Sequence, residues 1–425
     1  MNIPPLLRYV ILTSAIVGLT CSTAQAALTP QVEKLLATSN ENISLAAEQA
    51  QFNWRSKTSI DNATAERDLV AASVTVSIAN GIPEALAREF FRAQIDANKA
   101  EQWRLYQGWL SGKSIPPAAD PDSDAATAQQ LAVRSEALNR RQLAALAEAS
   151  PLLAKSTAQE ILAARPADTN TLSWKIAAAP LTARAQAQTD ESRLDVVQRS
   201  GLLRVCMTGD YKPFTLWRAD RYAFEGVDVE IGRQLAASLK VDVQFVPTTW
   251  GGLMNDFLAN RCDIASGGIS IVMDRVRQAF FSVPVHTDGK TPIVRCADKD
   301  RFQTLEQIDS PDVRVIVNPG GTNERFARAR LKRAPITVFP DNVTIFEQIL
   351  QNNADVMMTD AIETQLQQKQ HPGLCAVHPD KPFTVSEKAY MLPRGDMVFK
   401  EYVDQFLHSA LIDRTYQKLL DGWLK

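Results

Sequence analysis

Residues 227–246 read VDVEIGRQLAASLKVDVQFV, and this stretch decides the fold of the second half of the chain. Apolar residues at helical spacing over 227–239 predict a helix, and residues 241–246 predict a strand. A predicted strand at 202–206 precedes this pair, and a predicted helix at 253–260 follows it. Strands that alternate with helices are typical of an α/β fold.

The same alternation resumes further along the chain. Strands are predicted at 313–317, 336–339 and 355–358, with a helix at 345–350. A strand near 389–392 and the closing helices then return the chain to the first lobe. This path predicts two hinged α/β lobes with a ligand cleft between them.

The first half of the chain reads as helix from about residue 28 to about residue 160, because apolar residues recur at helical spacing. Asn80-Gly81 ends one predicted helix and Pro83 begins the next. Residues 176–190 are rich in Ala, Thr, Gln and Arg without an apolar period, which predicts an interdomain linker. A final helix of the first domain is the alternative.

Composition limits the class of protein. A chain of 425 residues is too long for one average core and predicts two or three domains. The apolar content of 45% and charged content of 22% are ordinary for a soluble globular protein. A formal net charge of −2 gives no polyanion-binding signature, which argues against a nucleic-acid partner.

Residues 1–26 read as a secretory signal peptide. Arg8 precedes the apolar run Tyr9–Leu19, and Ala24-Gln-Ala26 supplies a small-x-small cleavage pattern. The run is shorter than the about 20 apolar residues that span a bilayer, which argues against a membrane anchor. A lipid on Cys21 is a further alternative that its neighbours fit poorly. We expect cleavage after Ala26 and a periplasmic protein without a membrane partner.

The mature chain keeps Cys206, Cys262, Cys296 and Cys375. An oxidising compartment favours disulfides, and four cysteines allow three connectivities. A zinc site is the alternative, but no C-x-x-C pair is present, and we expect no metal. We expect Cys296 to pair with Cys375, because Cys296 follows a first-lobe strand near the crossover and Cys375 follows a late second-lobe strand. Cys206 and Cys262 are expected to be buried on first-lobe strands.

Several segments of the second half closely resemble periplasmic cyclohexadienyl dehydratase, whose parent family is the extracellular amino-acid-binding proteins. They include Gly209-Asp-Tyr-Lys-Pro-Phe214, Arg275-Val-Arg-Gln-Ala-Phe-Phe-Ser282, Asp288-Gly-Lys-Thr-Pro292, Asn318-Pro-Gly-Gly-Thr-Asn-Glu324 and Met358-Thr-Asp-Ala-Ile-Glu363. The match runs almost without gaps over 191–425. It implies a two-lobed periplasmic binding protein type II fold that dehydrates and decarboxylates prephenate or arogenate without a cofactor.

The reaction requires a proton for the departing ring hydroxyl and a firm grip on the substrate carboxylates. The resemblance implies Glu363 as general acid, one helical turn beyond Asp360. A carboxyl in a closed cleft beside negative charges should keep its proton. A surface Glu at a helix start is the alternative.

The resemblance also implies a substrate pocket. Arg275 would fork onto a carboxylate, with a surface Arg as the alternative, and backbone N–H groups near Thr322 would receive an anion at a helix start. The remaining expected pocket residues are Asp210 on the ring hydroxyl or the arogenate amine, Lys290 on the second carboxylate, Phe214 and Trp250 as ring walls, Ser270 and Asp360. Core packing is the alternative for each aromatic. Gly267-Gly268 departs from the Ser-rich sequence of many binding proteins.

The helical half resembles the secreted, all-helical type of chorismate mutase in Phe52-Asn-Trp54, Ser59-Ile-Asp61, Gly81-Ile-Pro83 and the stretch from Phe90 to Gln102. Asn98 and Gln102 share one helix face. They match positions that hold the substrate's ring hydroxyl and ether oxygen, and Arg141 matches a cationic position on the last helix.

The same half departs from that family where cations are needed. Asn42, Asn53 and Ala65 stand where the family has Arg, Lys and Arg. Each lost charge-assisted donor costs on the order of 1.5–3 kcal/mol. An active mutase and a degenerate dimerising or regulatory module therefore remain as alternatives.

The sequence predicts an all-α domain at 27–175, a linker at 176–190 and an α/β two-lobed domain at 191–425. We expect a homo-oligomeric, bifunctional enzyme acting on chorismate, prephenate and arogenate. A dehydratase with a degenerate mutase domain is one alternative. An amino-acid-binding transport or sensing protein is another.

Overall fold

The computed structural model describes residues 28–117, 124–185 and 191–425. The predicted signal peptide, its cleavage site after Ala26 and Cys21 lie outside these residues. Within the described ranges, no helix is both long and apolar enough to cross a membrane.

The first domain is all-α, as predicted. Its helices are α1 (Pro30–Ser56), α2 (Ala63–Ala79), α3 (Glu84–Leu110), α4 (Asp124–Ala149), α5 (Ala158–Ala163) and α6 (Thr171–Thr182). Leu35, Phe90, Leu146 and Trp174 are buried at the centre of their shared core. Gly81 turns the chain between α2 and α3 with a φ of 77°, which a residue without Cβ adopts at no steric cost.

The predicted linker at 176–190 is wrong over its first part, where α6 continues to Thr182. Ile176, Ala177 and Leu181 are buried in the helical core. Because apolar residues surround this helix on nearly every side, its sequence lacks the one-sided apolar period of a surface helix. The alternative of a final helix is therefore correct, and residues 186–190 lie outside the described part of the chain.

The second half alternates strands and helices. In chain order they are α7 (Arg193–Ser200), β1 (Leu202–Met207), β2 (Asp210–Tyr211), β3 (Thr215–Arg218), β4 (Ala223–Glu225), α8 (Val227–Leu239), β5 (Asp242–Pro247), α9 (Leu253–Leu258), β6 (Ile264–Ala265), α10 (Met273–Val276), β7 (Ala279–Phe281), β8 (His286–Asp288), β9 (Lys290–Arg295), α11 (Leu305–Ile308), β10 (Val315–Val317), α12 (Thr322–Arg330), β11 (Ile336–Val338), α13 (Ile345–Leu350), β12 (Val356–Asp360), α14 (Ala361–Gln370), β13 (Leu374–Ala376), β14 (Ser386–Lys388), β15 (Met391–Pro393), α15 (Met397–Ile412) and α16 (Thr415–Leu424).

These elements form the two predicted lobes. The first-lobe sheet has the order β5-β1-β6-β15-β7, and the second-lobe sheet has the order β11-β10-β12-β9-β13. The chain crosses between the lobes in β8 and returns in β14, and these two strands pair antiparallel. They form the hinge, and the cleft lies between the two sheets.

Two disulfides stabilise the lobes. Cys296 and Cys375 pair as predicted, but the strand before Cys296 is β9, which pairs with β12 and β13 of the second lobe, so its first-lobe placement was wrong. Cys206 and Cys262 are buried as expected, but only Cys206 lies on a strand, β1, and the two are bonded to each other. Cys262 lies two residues before the neighbouring β6, and the two Cα atoms are 5.6 Å apart, a normal disulfide separation. The bonded sulfurs exclude the zinc alternative.

Candidate active site

A small cavity of about 20 Å³ lies between the lobes. Its lining residues come from both lobes and the hinge: Tyr211, Trp250, Gly268, Ser270, Arg275, Asn318, Gly321, Thr322, Asn323, Asn342, Asp360 and Lys388. A cavity of this size holds about one water molecule. A ligand with a six-membered ring therefore enters only when the lobes move apart.

Asp360, the last residue of β12, lies at the centre of this cleft. Its carboxylate contacts Lys290 Nζ at 2.8 Å and Lys388 Nζ at 2.6 Å, and it accepts a hydrogen bond of 2.7 Å from the Tyr211 hydroxyl. Burial alone would raise the pKa of Asp360, but the two ammonium groups outweigh it and hold that pKa well below its usual value. Lys290, expected on a substrate carboxylate, is here bonded to Asp360 and Asn323.

Glu363 lies in the first turn of α14, three residues beyond Asp360, and is only 1% exposed. It does not itself line the cavity. The Thr359 hydroxyl donates a hydrogen bond of 2.5 Å to its Oε2. Burial, followed by the negative charges of Asp360 and Asp210, raises the pKa of Glu363 to about 8. The side chain therefore keeps its proton at neutral pH, and the surface-residue alternative is wrong.

Arg275 is buried, with 3% of its surface exposed, so the surface alternative is wrong for this residue too. Its Nη1 donates to the Ser270 carbonyl at 3.0 Å, and within the described ranges no carboxylate pairs with it. Burial, and then the charge of Arg325, lower its pKa to about 10, so it stays charged at neutral pH. A buried cation without a counter-ion is a strong site for a ligand carboxylate.

The start of α12 faces the same cavity. Thr322 is the first helical residue, and the preceding Gly321 provides no side-chain cap for the free backbone N–H groups. Such N–H groups receive anions readily. Arg275 of the first lobe and this helix start of the second lobe thus both line the cavity, so they can hold a ligand carboxylate between the lobes.

Asp210 lies in β2 at the edge of the cleft. Its backbone carbonyl accepts a hydrogen bond of 2.9 Å from Asn342 of the second lobe. Burial raises the pKa of its carboxyl, while the Thr208 hydroxyl and the Trp250 indole N–H beside it oppose that rise.

The aromatic wall differs from the prediction at one position. Trp250 lines the cavity, but Phe214 does not. Phe214 is fully buried in the first-lobe core behind Tyr211, with ring centroids 5.2 Å apart. Tyr211, which the sequence reasoning missed, takes the wall position from β2, while Phe214 lies in the turn between β2 and β3 and packs into the core. Its place inside the matched segment 209–214 was the available signal.

The Gly267-Gly268 pair has a structural explanation. Both backbone N–H groups donate to Asp228 Oδ2, at 2.8 and 2.9 Å. Gly268 has a φ of 69°, and a Cβ there would lie 2.4 Å from the Phe214 ring. Ser270 lines the cavity and accepts a hydrogen bond of 2.9 Å from Lys388.

Sequence reasoning also missed Lys388, Asn318, Asn323 and Asn342. Lys388 ends the returning hinge strand β14, and only the fold shows that this strand borders the cleft. Asn318 and Asn323 lie within the matched segment 318–324, which gave a signal for the segment but not for these side chains.

The helical domain has its own cavity of about 420 Å³, and Asn98 and Gln102 line it. Gln102 Nε2 donates to Asn98 Oδ1 at 2.8 Å, and Asn53 Nδ2 donates to Gln102 Oε1 at 2.9 Å. Arg141 does not line this cavity, which corrects the prediction. It is half exposed on α4 and pairs with Glu41.

The neighbouring Gln142 occupies the inward face instead. Its Nε2 donates to Gln94 Oε1 at 3.2 Å. Lys99 also lines this cavity, but Asp61 and Glu66 pair with it at 2.5 and 2.8 Å. Within the described ranges, the cavity thus offers amides rather than an unpaired cation.

Comparison with known proteins places the second half in a family. Residues 203–425 match the model of the bacterial extracellular solute-binding proteins, family 3. Cyclohexadienyl dehydratase of Pseudomonas aeruginosa is 55% identical over 250 residues, which cover 59% of this chain and 92% of that protein. The L-cystine-binding protein TcyJ of Escherichia coli is 25% identical over 236 residues, which cover 55% of this chain and 86% of that protein.

Solved structures agree with this placement. An ancestral amino acid-binding protein, described as a precursor of cyclohexadienyl dehydratase, is 32% identical with a TM-score of 0.51, covering 55% of this chain and all of that one. An amino acid transporter substrate-binding protein from Streptococcus pneumoniae, bound to L-arginine, has a TM-score of 0.51 at 19% identity, covering 54% of this chain and 97% of that one, which shows the fold alone. Because the family model covers residues 203–425 of 425, the chain belongs to the bacterial extracellular solute-binding proteins, family 3.

Proposed function

We propose that residues 191–425 form a dehydratase that converts prephenate to phenylpyruvate, and arogenate to phenylalanine, with loss of water and CO2. The observation that carries this proposal is a protonated, buried carboxyl, Glu363, linked through Thr359 to Asn323 of the cleft that holds the unpaired buried cation Arg275. The relative at 55% identity, itself called cyclohexadienyl dehydratase, supports the same reaction.

The proposed mechanism uses the side chains of this cleft. Arg275 and the start of α12 hold the side-chain carboxylate of the substrate. Glu363 gives its proton to the ring hydroxyl as the C–O bond breaks, and water leaves. The C–C bond to the ring carboxylate breaks, CO2 leaves, and the electron pair of that bond completes the aromatic ring. Glu363 is left as a carboxylate near Lys290 and regains its proton from solvent.

The buried cation Arg275 favours a ligand that carries a carboxylate. Lys290 and Lys388 both pair with Asp360, whereas Arg275 bonds a backbone carbonyl and has no carboxylate partner within the described ranges. A carboxylate of prephenate or arogenate is complementary to this cation.

The test is incubation of the purified mature protein with prephenate in neutral or mildly alkaline buffer, with phenylpyruvate followed by absorbance. We expect turnover far above the spontaneous aromatisation of prephenate. Saturable binding of an amino acid without any turnover of prephenate would contradict the proposal and favour a solute-binding role.

For the helical domain, we propose a chorismate mutase-type fold with weak or no turnover of chorismate. The support is a cavity that contains the expected Asn98 and Gln102 but no unpaired cation among the described residues. Two substrate carboxylates would therefore lose their hydration without charged partners. Incubation of the same protein with chorismate tests this, and turnover comparable to that of prephenate would contradict it.

We also propose export to the periplasm with cleavage after Ala26. The family consists of extracellular proteins, and two disulfides are typical of an oxidising compartment. N-terminal sequencing of the protein from the periplasmic fraction tests the site. An intact Met1, or a lipid on Cys21, would contradict it.

A further inference from the structure

The helical domain packs against the first lobe at the small sheet formed by β2, β3 and β4. Trp103 of α3 lies against Trp217 of β3, with ring centroids 5.1 Å apart. Tyr106 lies edge-on to Tyr222 at 4.7 Å, and Gln107 Nε2 donates to the Tyr222 carbonyl at 2.7 Å. One face of α3 therefore holds the hairpin that joins β3 to β4.

The other edge of the same sheet borders the cleft. Asp210 and Tyr211 form β2 and pair with Leu216 and Thr215 of β3. The Tyr211 hydroxyl donates to Asp360 at 2.7 Å. The strand that contacts the helical domain, β3, is thus the direct neighbour of the strand that supplies Tyr211 to the cleft.

The connection between the two edges is tight. The Trp217 backbone N–H donates to the Gly209 carbonyl at 2.7 Å. Gly209 has a φ of 72°, and a Cβ there would lie 2.9 Å from Trp217 Cβ and 2.8 Å from the Phe224 ring. Gly209 thus packs against Trp217 without room for a side chain and is hydrogen-bonded to it, so we expect a displacement of Trp217 to move the start of β2.

β2 needs such support because it contains only two residues. Short strands have few ladder hydrogen bonds, and small isolated sheets are marginally stable in water. The β3–β4 hairpin packs against aromatic side chains of α3 on one side. On the other side Phe224 packs against Phe245 of the main first-lobe sheet, with ring centroids 6.1 Å apart.

We propose that the helical domain holds β2 in its cleft conformation, and that Trp103 is a positioning residue for Tyr211 and Asp210. This role needs no reaction in the cavity of the helical domain. Its expected effect on turnover rests on the proposed dehydratase function. Because the carboxylate contacts of Arg275 and Thr322 lie on other elements, loss of Trp103 should lower kcat more than it raises KM.

The experiment uses the full mature chain with Trp103→Ala. Hydrogen–deuterium exchange, measured by mass spectrometry, should be several-fold faster in peptides covering residues 209–217. We expect kcat for prephenate to fall about 10-fold, less than the about 100-fold that a 1 Å misplacement of reacting groups can cost. Trp103→Phe should restore most of the exchange protection over 209–217 and most of kcat, since it returns an aromatic ring to the contact with Trp217.

Phe52→Ala is the matched control. Phe52 packs against Leu45, Leu131 and Leu138 within the helical domain and not against the hairpin. It should leave exchange over 209–217 and kcat near wild type. Unchanged exchange in Trp103→Ala, or equal effects in Phe52→Ala, would overturn the proposal. If the wild-type protein does not turn prephenate over, the dehydratase proposal fails, and the exchange difference alone decides the positioning role.

Discussion

Thr359, next to last in β12, donates a hydrogen bond of 2.5 Å to Oε2 of Glu363 in the first turn of α14. The Thr359 hydroxyl oxygen in turn accepts from Asn323 Nδ2 at 3.0 Å. The end of β12 thus fixes the position of the acid.

Glu363→Gln should abolish most turnover of prephenate with little change in binding. The amide keeps the shape of the side chain but cannot act as an acid, and a positioned general acid contributes about 10²–10⁴-fold in rate. Steady-state phenylpyruvate formation gives kcat, and fluorescence titration gives affinity. Glu347→Gln, at an exposed Glu on α13, is the matched control. A variant with near wild-type turnover would move the acid role to Asp210 or Glu324.

The pH profile of kcat should show a descending limb near pH 8. Activity requires the protonated form of Glu363, whose pKa is raised to about 8, so turnover is lost as pH rises through that value. Burial and the charge of Asp360 raise the pKa of Asp288 to about 6. A profile measured from pH 7 upward therefore does not include the titration of Asp288. The residual activity of Glu363→Gln should lack this limb. The same limb in that variant would assign it to another group, with Lys290 the first to examine.

Arg275→Ala should weaken substrate binding and lower kcat/KM. It removes a charge-assisted donor worth about 1.5–3 kcal/mol, which corresponds to roughly 10–150-fold in affinity. Arg277→Ala is the matched control, since Arg277 is exposed and pairs with Asp274. Arg275→Lys should recover part of the loss, because it restores the charge without the planar fork. Equal KM values for both alanine variants would remove Arg275 from the carboxylate site.

The fold was largely predictable because its signals are local. The helices at Val227–Leu239 and Ile345–Leu350 have the predicted bounds, since their apolar spacing and ends depend on nearby residues. Arg141 was misplaced because a rotation of one residue on a helix changes which face a side chain occupies, and the neighbouring Gln142 faces the cavity. Phe214 was misplaced because it lies in the turn between β2 and β3, where strand periodicity does not apply. The Cys206–Cys262 pairing depends on which strands are neighbours in the sheet, and that is a long-range property of the fold.

The charge pattern of the helical cavity gives the last prediction. Asn53 lines the cavity and donates to Gln102 at 2.9 Å, so Asn53→Lys would place a cation beside the expected substrate ether oxygen. If missing cations limit the mutase reaction, this variant should raise chorismate turnover about 10-fold or more, as one charge-assisted donor would. Gln51→Lys, at an exposed position of the same helix, adds the same charge outside the cavity and should leave chorismate turnover unchanged.

Both variants are measured in a Glu363→Gln background, which stops consumption of the prephenate that forms. The rate of prephenate formation from chorismate then separates the effect of Asn53→Lys from that of Gln51→Lys. A wild-type protein with robust mutase activity would show that amides alone can stabilise the transition state, and that the cation pattern of the family is not required here.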